Sequence, residues 1–462
     1  MKVNSIKIAE CIKKMEVDLN LLKSHDDYIR YSWEALRFTV GNLLIKEIRE
    51  TEERISFKRK TGMIYTIKNI IKNTSRFYWK GLFNKKKYLV LANSRRLINV
   101  DDNVYDDPYT EDLVEYLGIS ETLILEDPQD WNHSGPTRNK VYYNDIIHII
   151  IGLLKFVCWS YPKTLSNIGT DISNYINDEL GFVLPIEDLL ISKYKYLKRS
   201  VFINKHLLKF LKPEKIFLVC SYGREPIIIA AKELKIETNE IQHGVITNNH
   251  LGYSFSKGGE KKSFVDNLLL FGNAWKDSCD FTIKKENLKV FGYPFLTNKL
   301  VGLKKVEKKN QIVFLSQWTI GKQLVELVIE FSKIFDSKII YKLHPVEISN
   351  WKEIYPELAC LANKGRVEVI GKERSLHELL AESKWQVGVY STALYEGLAF
   401  GCETFLANFS GVEEMDFLIK NNYALLFNHP EEIDLALTNN KELSDDIFNY
   451  EWKMALDQFF NV

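Results

Sequence analysis

Short apolar runs alternate with amphipathic stretches along most of this chain, and the runs fall into two series. The first series lies at 88–92, 216–220, 240–242, 267–271 and 288–291. The second series lies at 311–316, 338–343, 366–370, 385–389 and 403–406. Apolar runs of this length without polar alternation are typical of strands that are buried on both faces of a parallel sheet. Each series therefore predicts a doubly wound α/β domain.

The segments around these series complete the predicted organisation. Residues 1–87 have helical spacing and become strongly basic, and a charged, poorly patterned linker separates the two series at 302–310. We predict an α/β fold of two Rossmann-like, doubly wound domains, 88–301 and 311–440, that face a central cleft behind a helical N-terminal extension. The last segment, 441–462, is amphipathic and is predicted to be a helix that crosses back onto the first domain.

Composition narrows the class of protein. The chain has 462 residues, of which 45% are apolar and 27% charged, as in soluble globular proteins. A net charge of +1 argues against a general polyanion binder. Six scattered cysteines without ligand spacing predict free thiols in a reducing cytoplasm, and the N-terminus lacks the pattern of a signal peptide.

Two segments bear on membrane contact. Between 58 and 87 there are ten Lys or Arg residues and no acidic residue, interleaved with aliphatic and aromatic side chains. This composition predicts docking on the anionic inner face of a cell membrane, with packing on its own domain as the alternative and nucleic acid as a poorer one. The most apolar segment, 146–159, is too short to span a bilayer and is predicted to be a core helix.

Chemistry-bearing residues follow the second strand of the second series. Lys342 and His344 place a cation and a hydrogen-bond donor at the end of that strand, and Pro345 fixes the turn after it. Since open parallel sheets bind ligands beyond the carboxyl ends of their strands, these residues are candidates for holding a nucleotide phosphate. Ser316 and Gln317, which end the first strand of the same series, are candidates for a diphosphate or a base.

A predicted helix start supplies the other half of this site. Ser391 and Thr392 follow the strand at 385–389, and hydroxyl residues at a helix N-terminus favour anion binding. Glu396 lies one helical turn beyond Thr392, on the same face, where a carboxylate accepts hydrogen bonds from ribose hydroxyls. Plain helix capping with an exposed Glu396 is the alternative.

The first domain has its own cluster at two successive strand ends. Arg224 and Glu225 follow one strand, Glu240 and His243 end the next, and His250 comes shortly after. Transfer of a sugar to a hydroxyl needs a base, which a glutamate or a histidine supplies. Glu240, His243 and Glu225 are therefore the catalytic candidates, and Arg224 and His250 the acceptor-binding candidates. A structural histidine and a surface ion pair are the alternatives.

Missing motifs narrow the chemistry further. The chain has no GxGxxG after a strand and no GxxxxGK[ST], which disfavours hydride transfer and ATP hydrolysis. An Asp-x-Asp at a strand end is also absent, so we expect an enzyme without a metal or other cofactor. The acidic stretch at 101–111 is expected to be a solvated surface loop, with binding of a sugar acceptor as the alternative.

The quoted residues resemble those of bacterial GT-B glycosyltransferases that build capsules and lipopolysaccharide. The matching segments are Glu240-Ile-Gln-His-Gly244, Lys342-Leu-His-Pro345 and Ser391-Thr-Ala-Leu-Tyr-Glu396. The resemblance covers about 215–430, and the histidine–proline and serine–threonine pairs are similar to those of enzymes that use cytidine nucleotides. It implies that His344, Ser391 and Thr392 hold CMP.

These observations predict a glycosyltransferase that moves a sugar from a CMP-activated donor to a bacterial surface glycan or glycolipid. The resemblance suggests a 2-keto acid sugar such as Kdo or a nonulosonate. Three alternatives stay open: a GT-B transferase that uses a UDP- or GDP-sugar, a nucleotide-sugar epimerase, and a non-catalytic subunit of a glycan-assembly complex.

Overall fold

The computed structural model describes residues 4–24, 26–50, 63–79, 84–92, 96–99, 103–129, 131–435 and 443–461. The predicted membrane-docking segment, 58–87, is described at 63–79 and 84–87, and its remaining residues lie outside the described part of the chain. The N-terminal region is helical, and its described helices are α1 (Ser5–Asp18), α2 (Asp27–Glu50) and α3 (Met63–Thr74). A buried ion pair joins α1 to α2, in which Arg37 Nε lies 2.6 Å from Glu16 Oε1. The same Arg37 donates to the carbonyl of Ser254 at 2.9 Å, which ties α2 to the first domain.

The first domain is built on a seven-stranded sheet in the order β5-β4-β1-β6-β7-β8-β9, and all its pairs are parallel. Its elements, with the small hairpin β2–β3, are β1 (Tyr88–Ala92), β2 (Leu97–Asn99), β3 (Val104–Asp106), α4 (Glu111–Leu117), β4 (Thr122–Glu126), β5 (Tyr142–Tyr143), α5 (Asp145–Leu153), α6 (Lys163–Leu180), α7 (Ile186–Leu211), β6 (Lys215–Val219), α8 (Glu225–Glu233), β7 (Glu237–Ile241), β8 (Asn267–Leu270), β9 (Leu288–Val290) and α9 (Pro294–Leu303). The sequence pattern missed β4 and β5.

The second domain has a six-stranded parallel sheet in the order β12-β11-β10-β13-β14-β15. Its elements are β10 (Lys309–Leu315), α10 (Gly321–Ile334), β11 (Lys338–Lys342), α11 (Trp351–Ile354), α12 (Pro356–Asn363), β12 (Val367–Ile370), α13 (Leu376–Glu382), β13 (Ser383–Gly388), α14 (Thr392–Ala399), β14 (Glu403–Ala407), α15 (Asp416–Lys420) and β15 (Ala424–Phe427). The central strands are almost wholly buried, as their apolar runs require. The prediction of two doubly wound α/β domains is confirmed.

The C-terminal segment lies against the first domain. Its helix is α16 (Trp452–Phe460). Tyr116 donates a hydrogen bond to Asp457 at 2.6 Å, and the ring of Phe460 lies 5.9 Å from that of Tyr88. The segment before the helix crosses Gly272 closely, because a Cβ there would lie 2.2 Å from the carbonyl oxygen of Asp446.

The prediction of a core helix at 146–159 holds for the helix as far as Leu153 and is wrong for the residues after it. Helix α5 buries Ile147 and Ile151, but it ends at Leu153, and a tight turn follows. Leu153, Phe156 and Val157 are exposed. Within the described residues, no helix combines the length and the apolarity that a bilayer span needs.

Candidate functional site

The centre of the second sheet is the point at which its strand order reverses. Strands β10 and β13 are neighbours there, with β11 on one side and β14 on the other. Ligands of open parallel sheets bind in the crevice that forms at such a point. The loops after the two strands are tied together, since Gln317 Nε2 donates to the carbonyl of Tyr390 and Tyr390 N donates to Gln317 Oε1 at 3.3 Å.

Helix α14 begins at this crevice and points its N-terminus toward the first domain. Ser391 is the N-cap, and its hydroxyl accepts a hydrogen bond from Ala393 N at 3.2 Å. A Cβ added to Gly244 would lie 3.2 Å from Thr392 Oγ1, so the loop after β7 comes close to the start of α14. The helix dipole therefore places partial positive charge in the cleft between the domains.

A cavity of about 440 Å³ opens beside this helix start. The second domain, the loop after β7, and helices α1 and α2 all contribute to its wall. Its polar lining residues are Asn4, Ser5, Asn42, Asn249, His250, Gln317, Tyr390, Ser391, Thr392, Ser410, Glu413 and Glu414. The structure thus brings four of the predicted site residues, His250, Gln317, Ser391 and Thr392, to one cavity. Among the lining residues that the structure describes there is no lysine or arginine.

Helix α2 supplies an apolar wall that the sequence analysis did not place at the site. Phe38, Gly41, Ile45 and Ile48 are spaced to share one face of the helix and line the cavity. The ring of Phe38 stacks on that of His250 at 5.4 Å. The helical extension is therefore part of the cleft.

His250 is a neutral side chain in this wall. Its Nδ1 accepts a hydrogen bond from Gly252 N at 3.1 Å. Burial, followed by the nearby His243, lowers the pKa of His250 to about 3. The neutral ring consequently carries its proton on Nε2, which is a hydrogen-bond donor.

Two glutamates of the second domain close the other side of the cavity. Ser5 in α1 donates to Glu413 Oε1 at 2.7 Å, and Thr247 of the first domain donates to Glu414 Oε2. Burial raises the pKa of Glu414. Gly411, at φ +103°, lies directly against the ring of Tyr390. These contacts link the helical region and the first domain to the second domain.

Glu240 and His243 belong to a chain of hydrogen bonds beneath the cavity. Glu240 is completely buried and accepts from Ser221 N at 2.9 Å and from the Tyr253 hydroxyl. Burial raises the pKa of Glu240. The Tyr253 hydroxyl lies 3.5 Å from His243 Nδ1, and that of Tyr222 lies 3.1 Å from His243 Nε2. Neither Glu240 nor His243 lines the cavity, and their catalytic roles stay predictions.

Glu225 and Arg224 have separate partners. Glu225 is buried, accepts from Gly223 N at 2.9 Å and lies 3.7 Å from the Lys261 ammonium. Arg224 donates to Asp127 at 2.8 Å. The alternative of a surface ion pair between Arg224 and Glu225 is wrong, and their catalytic and acceptor-binding roles stay predictions.

Asp127, which follows β4, is a residue that the sequence analysis missed. It joins Arg224 to His148, whose Nε2 lies 2.8 Å from Asp127 Oδ1. Burial acts to raise the pKa of Asp127, but Arg224 and His148 outweigh it and hold that pKa well below its usual range. The signal was the Glu126-Asp127 pair directly after an apolar run.

A second buried cluster lies at the end of β4. His133 is held between Glu126 at 2.6 Å and Asp145 at 2.8 Å, and Arg96 donates to Glu126 at 2.7 Å. Burial alone would lower the pKa of His133, but its hydrogen bonds to the two carboxylates raise it. The expectation of a solvated loop at 101–111 is wrong for Glu111, which accepts from Arg96 at 2.9 Å and is largely buried.

The residues after β11 are held by partners within the second domain. The Lys342 ammonium donates to the carbonyls of Gly371 and, at 2.8 Å, Arg374, and burial lowers its pKa. His344 is half-buried and Pro345 is exposed. None of these three residues lines the cavity described above. A direct contact with a nucleotide phosphate stays a prediction for Lys342, His344 and Pro345.

Glu347 is a second residue that the sequence analysis missed. It is fully buried and accepts from Ser316 Oγ at 2.7 Å, Tyr355 OH at 2.7 Å and His344 N at 2.8 Å. The predicted ligand Ser316 is therefore engaged with this carboxylate, beneath the switch point. Burial raises the pKa of Glu347.

Glu396 lies at the boundary between the domains. Its Oε2 is 2.8 Å from His377 Nε2, and both side chains are buried. The alternative of an exposed Glu396 is therefore wrong. Burial and then the charge of Glu396 raise the pKa of both Tyr109 and Tyr293 in the first domain. A capping box at Ser375 sets the position of His377.

Two parallel sheets with helices on both faces, whose strand ends meet at one cleft, define the fold class. The fold is GT-B-like. No protein-family model and no curated protein matches the chain. Among solved structures it is similar to UDP-GlcNAc 2-epimerase from Methanocaldococcus jannaschii, with a TM-score of 0.46, 12% identity, and 81% of this chain and 99% of that chain covered.

Two further solved structures have a comparable similarity. The S. aureus MnaA–UDP structure has a TM-score of 0.49 and 10% identity, covering 81% of this chain and 97% of that one. UDP-GlcNAc 2-epimerase from Neisseria meningitidis bound to UDP-GlcNAc has a TM-score of 0.45 and 10% identity, covering 81% and 99%. Values in this range leave the chemistry of the present chain open.

Proposed function

We propose that this protein is an enzyme that acts on a nucleotide-activated sugar bound in the cleft between its two domains. The observation that carries the proposal is the N-terminus of α14, which opens at the switch point of the second sheet directly into the cavity. Backbone N–H groups and the helix dipole suit the phosphate groups of a nucleotide, and Ser391 and Thr392 add hydroxyl donors. This arrangement compensates for the lack of lysine and arginine among the described lining residues.

The rest of the cavity suits a sugar. Carboxylates and amides such as Glu413, Asn42 and Asn249 bind hydroxyl groups, and Phe38 offers an apolar surface to a sugar ring. The neutral His250 donates toward the same space. A nucleotide at α14 would thus place its sugar between the second domain and helix α2.

Transfer of that sugar to an acceptor is the reaction that we propose first. The cavity extends past the helix start to the apolar face of α2, which is where we place the acceptor. The motif resemblance makes a CMP-linked 2-keto acid sugar our first candidate donor and a UDP- or GDP-sugar the next, with a bacterial surface glycan or glycolipid as acceptor.

Epimerisation of the sugar on its nucleotide is the second candidate. Removal and return of a proton at one carbon need a general base and a general acid close together. Glu413 and Glu414 line the same cavity as His250 and are the observation that favours it. The solved structures named above as UDP-GlcNAc 2-epimerases give a reason to include UDP-GlcNAc as a substrate in the test.

The binding test is a thermal-shift screen with CMP, CDP, UMP, UDP and GDP. A ligand at 100 times its dissociation constant adds about 2.7 kcal/mol to the stability of the folded state. Ser391→Ala should weaken the shift. Ser375→Ala is the matched control, because Ser375 also caps a helix, with its hydroxyl 3.2 Å from a backbone N–H, but lies away from the cavity. Each variant should lose about 1 kcal/mol without ligand.

Two outcomes would overturn the binding proposal: no nucleotide raises the melting temperature, or Ser391→Ala responds as strongly as Ser375→Ala. The reaction is identified by NMR of a bound donor without acceptor. A change of sugar configuration with the nucleotide still attached would establish epimerisation. Transfer would be established if the donor stays unchanged without acceptor and is consumed after a glycan acceptor is added.

A further inference from the structure

The end of helix α5 carries a cluster of exposed apolar side chains, which we call the 150–161 patch. Its members are Ile150, Leu153, Phe156, Val157 and Tyr161. Phe156 is 79% exposed, Leu153 62% and Val157 53%. Single exposed apolar residues are ordinary, but a close group of large ones marks an interaction site.

The backbone holds this exposure in place. Helix α5 turns Ile147 and Ile151 into the core, whereas Ile150 on the same helix is exposed. A 3-10 turn, Leu154–Phe156, follows, and Trp159 Nε1 donates to the carbonyl of Leu154 at 2.9 Å. The patch is therefore part of a formed turn that is packed against the domain.

Cations surround the patch. From 150 to 163 the chain has two lysines and no acidic residue. The Lys155 ammonium lies 4.9 Å from the Phe156 ring centroid, and Lys195 of α7 lies 4.7 Å from that of Tyr161. Apolar and aromatic tips bordered by lysines are the chemistry that anionic lipid surfaces attract.

Helix α3 adds to the basic character of the same domain. Asn73 of α3 donates to Asp145, the first residue of α5, at 3.0 Å, which fixes α3 against that helix. Lys68 and Lys72 are exposed on α3, and Ile71 is 69% exposed. The described part of the basic segment thus packs against the helix that carries the patch.

We propose that the 150–161 patch docks the protein on an anionic lipid bilayer. Phe156, Leu153 and Val157 enter the interfacial region, and Lys155 and Lys195 face the phosphate headgroups. A second copy of the chain fits less well, because a two-fold contact through this patch would bring its lysines together. The proposal is independent of the nucleotide site.

The test is sedimentation of the full chain with vesicles of phosphatidylcholine, with or without about one-third phosphatidylglycerol. Binding is expected only with the anionic lipid. The double variant Leu153→Ser/Phe156→Ser should weaken it at least about tenfold, since each side chain gains more than 1.4 kcal/mol on full burial. Val183→Ser/Val301→Ser is the matched control, because both valines are highly exposed, at 81% and 74%, and lie outside the patch.

Lys155→Gln/Lys195→Gln should also weaken binding to anionic vesicles, and raised salt should do the same. Equal binding to both vesicle types, no binding, or unchanged binding by the Leu153/Phe156 variant would overturn the proposal. The proposal would also be overturned if analytical ultracentrifugation showed a dimer that the Leu153/Phe156 variant no longer forms, because a second copy of the chain would then cover the patch. Thermal unfolding of the Leu153/Phe156 variant with nucleotide shows whether it is folded and whether it still binds nucleotide. A loss of vesicle binding is thereby distinguished from a failure of the proposed function.

Discussion

Replacing Glu347 by alanine is expected to destabilise the second domain strongly. The carboxylate accepts from three donors: the Ser316 and Tyr355 hydroxyls and His344 N. After the change Ser316 still has Tyr341 OH at 3.0 Å as a partner, so two donors lose their acceptor. At about 1–3 kcal/mol for each unsatisfied donor the loss is about 2–6 kcal/mol. The half-buried position of His344 favours the lower part of that range.

Glu347→Gln should cost much less, about 1 kcal/mol. The amide oxygen can replace Oε2, which serves Ser316 and His344 N, while the amide nitrogen takes the place of Oε1. Tyr355 OH is the partner of Oε1 and can reverse its role to accept. Alanine removes all three interactions, whereas glutamine preserves two and reverses the third.

The assay is thermal unfolding followed by circular dichroism and by nucleotide-free thermal shift. A midpoint fall of about 2–4 °C per kcal/mol makes the two substitutions easy to separate. Glu357→Ala, an exposed glutamate on the neighbouring α12, is the control and should change the midpoint little. Equal losses for alanine and glutamine would refute the hydrogen-bond argument, because only the number of unsatisfied donors distinguishes them.

The stability difference between the wild-type protein and Glu347→Gln should depend on pH in a defined direction. Burial raises the pKa of Glu347, so the folded protein binds this proton more tightly than the unfolded chain does. The contribution of Glu347 to stability therefore falls as pH rises above the unfolded value of about 4.3 and through the raised one. The disadvantage of Glu347→Gln should shrink over that range, and a growing disadvantage would contradict the assigned burial.

Three further changes are expected to act elsewhere. Gly411→Ala should lower the unfolding midpoint, because φ is +103° and its Cβ would lie 2.4 Å from the Tyr390 ring; unchanged stability would contradict this packing. His133→Gln should remove stability that is present below about pH 6.5 and is lost as pH rises through the raised pKa of His133, so the midpoints should converge at high pH. Gly272→Ala should displace the carbonyl of Asp446 and speed limited proteolysis of the C-terminal segment; an unchanged cleavage rate would argue against that contact.

The strands were predictable because their signal is local. The run at 88–92 coincides with β1, and the run at 338–343 exceeds β11 by one residue. Strand β4 shows the limit of that signal: Thr122-Leu-Ile-Leu-Glu126 is a run of only three apolar residues between polar ones. Both of its faces are buried, Leu123 and Leu125 in one core cluster and Ile124 in another, and most members of these clusters are distant in the chain, so the pattern around β4 does not contain them.

The destinations of polar side chains at the strand ends were less predictable, because they depend on distant partners. Lys342 has the position expected of a phosphate ligand, but its ammonium reaches carbonyls about thirty residues later. Arg224 pairs with Asp127, 97 residues earlier in the chain. By contrast, Ser391 caps its helix as the sequence indicates, because the cap depends on backbone N–H groups two residues away.

The segment after Asp145 shows how a failed expectation can carry information. Its apolarity predicted burial, yet within it only Ile147 and Ile151 are buried in the core. Apolar side chains held in water at a fixed turn bring the folded chain no stabilisation, so folding alone does not account for Leu153, Phe156 and Val157. A mismatch between local pattern and tertiary structure is expected where a surface has a function. The apolar sequence pattern and the exposure in the structure are reconciled when another apolar surface covers the patch. The lysines around the patch favour an anionic lipid bilayer as that surface.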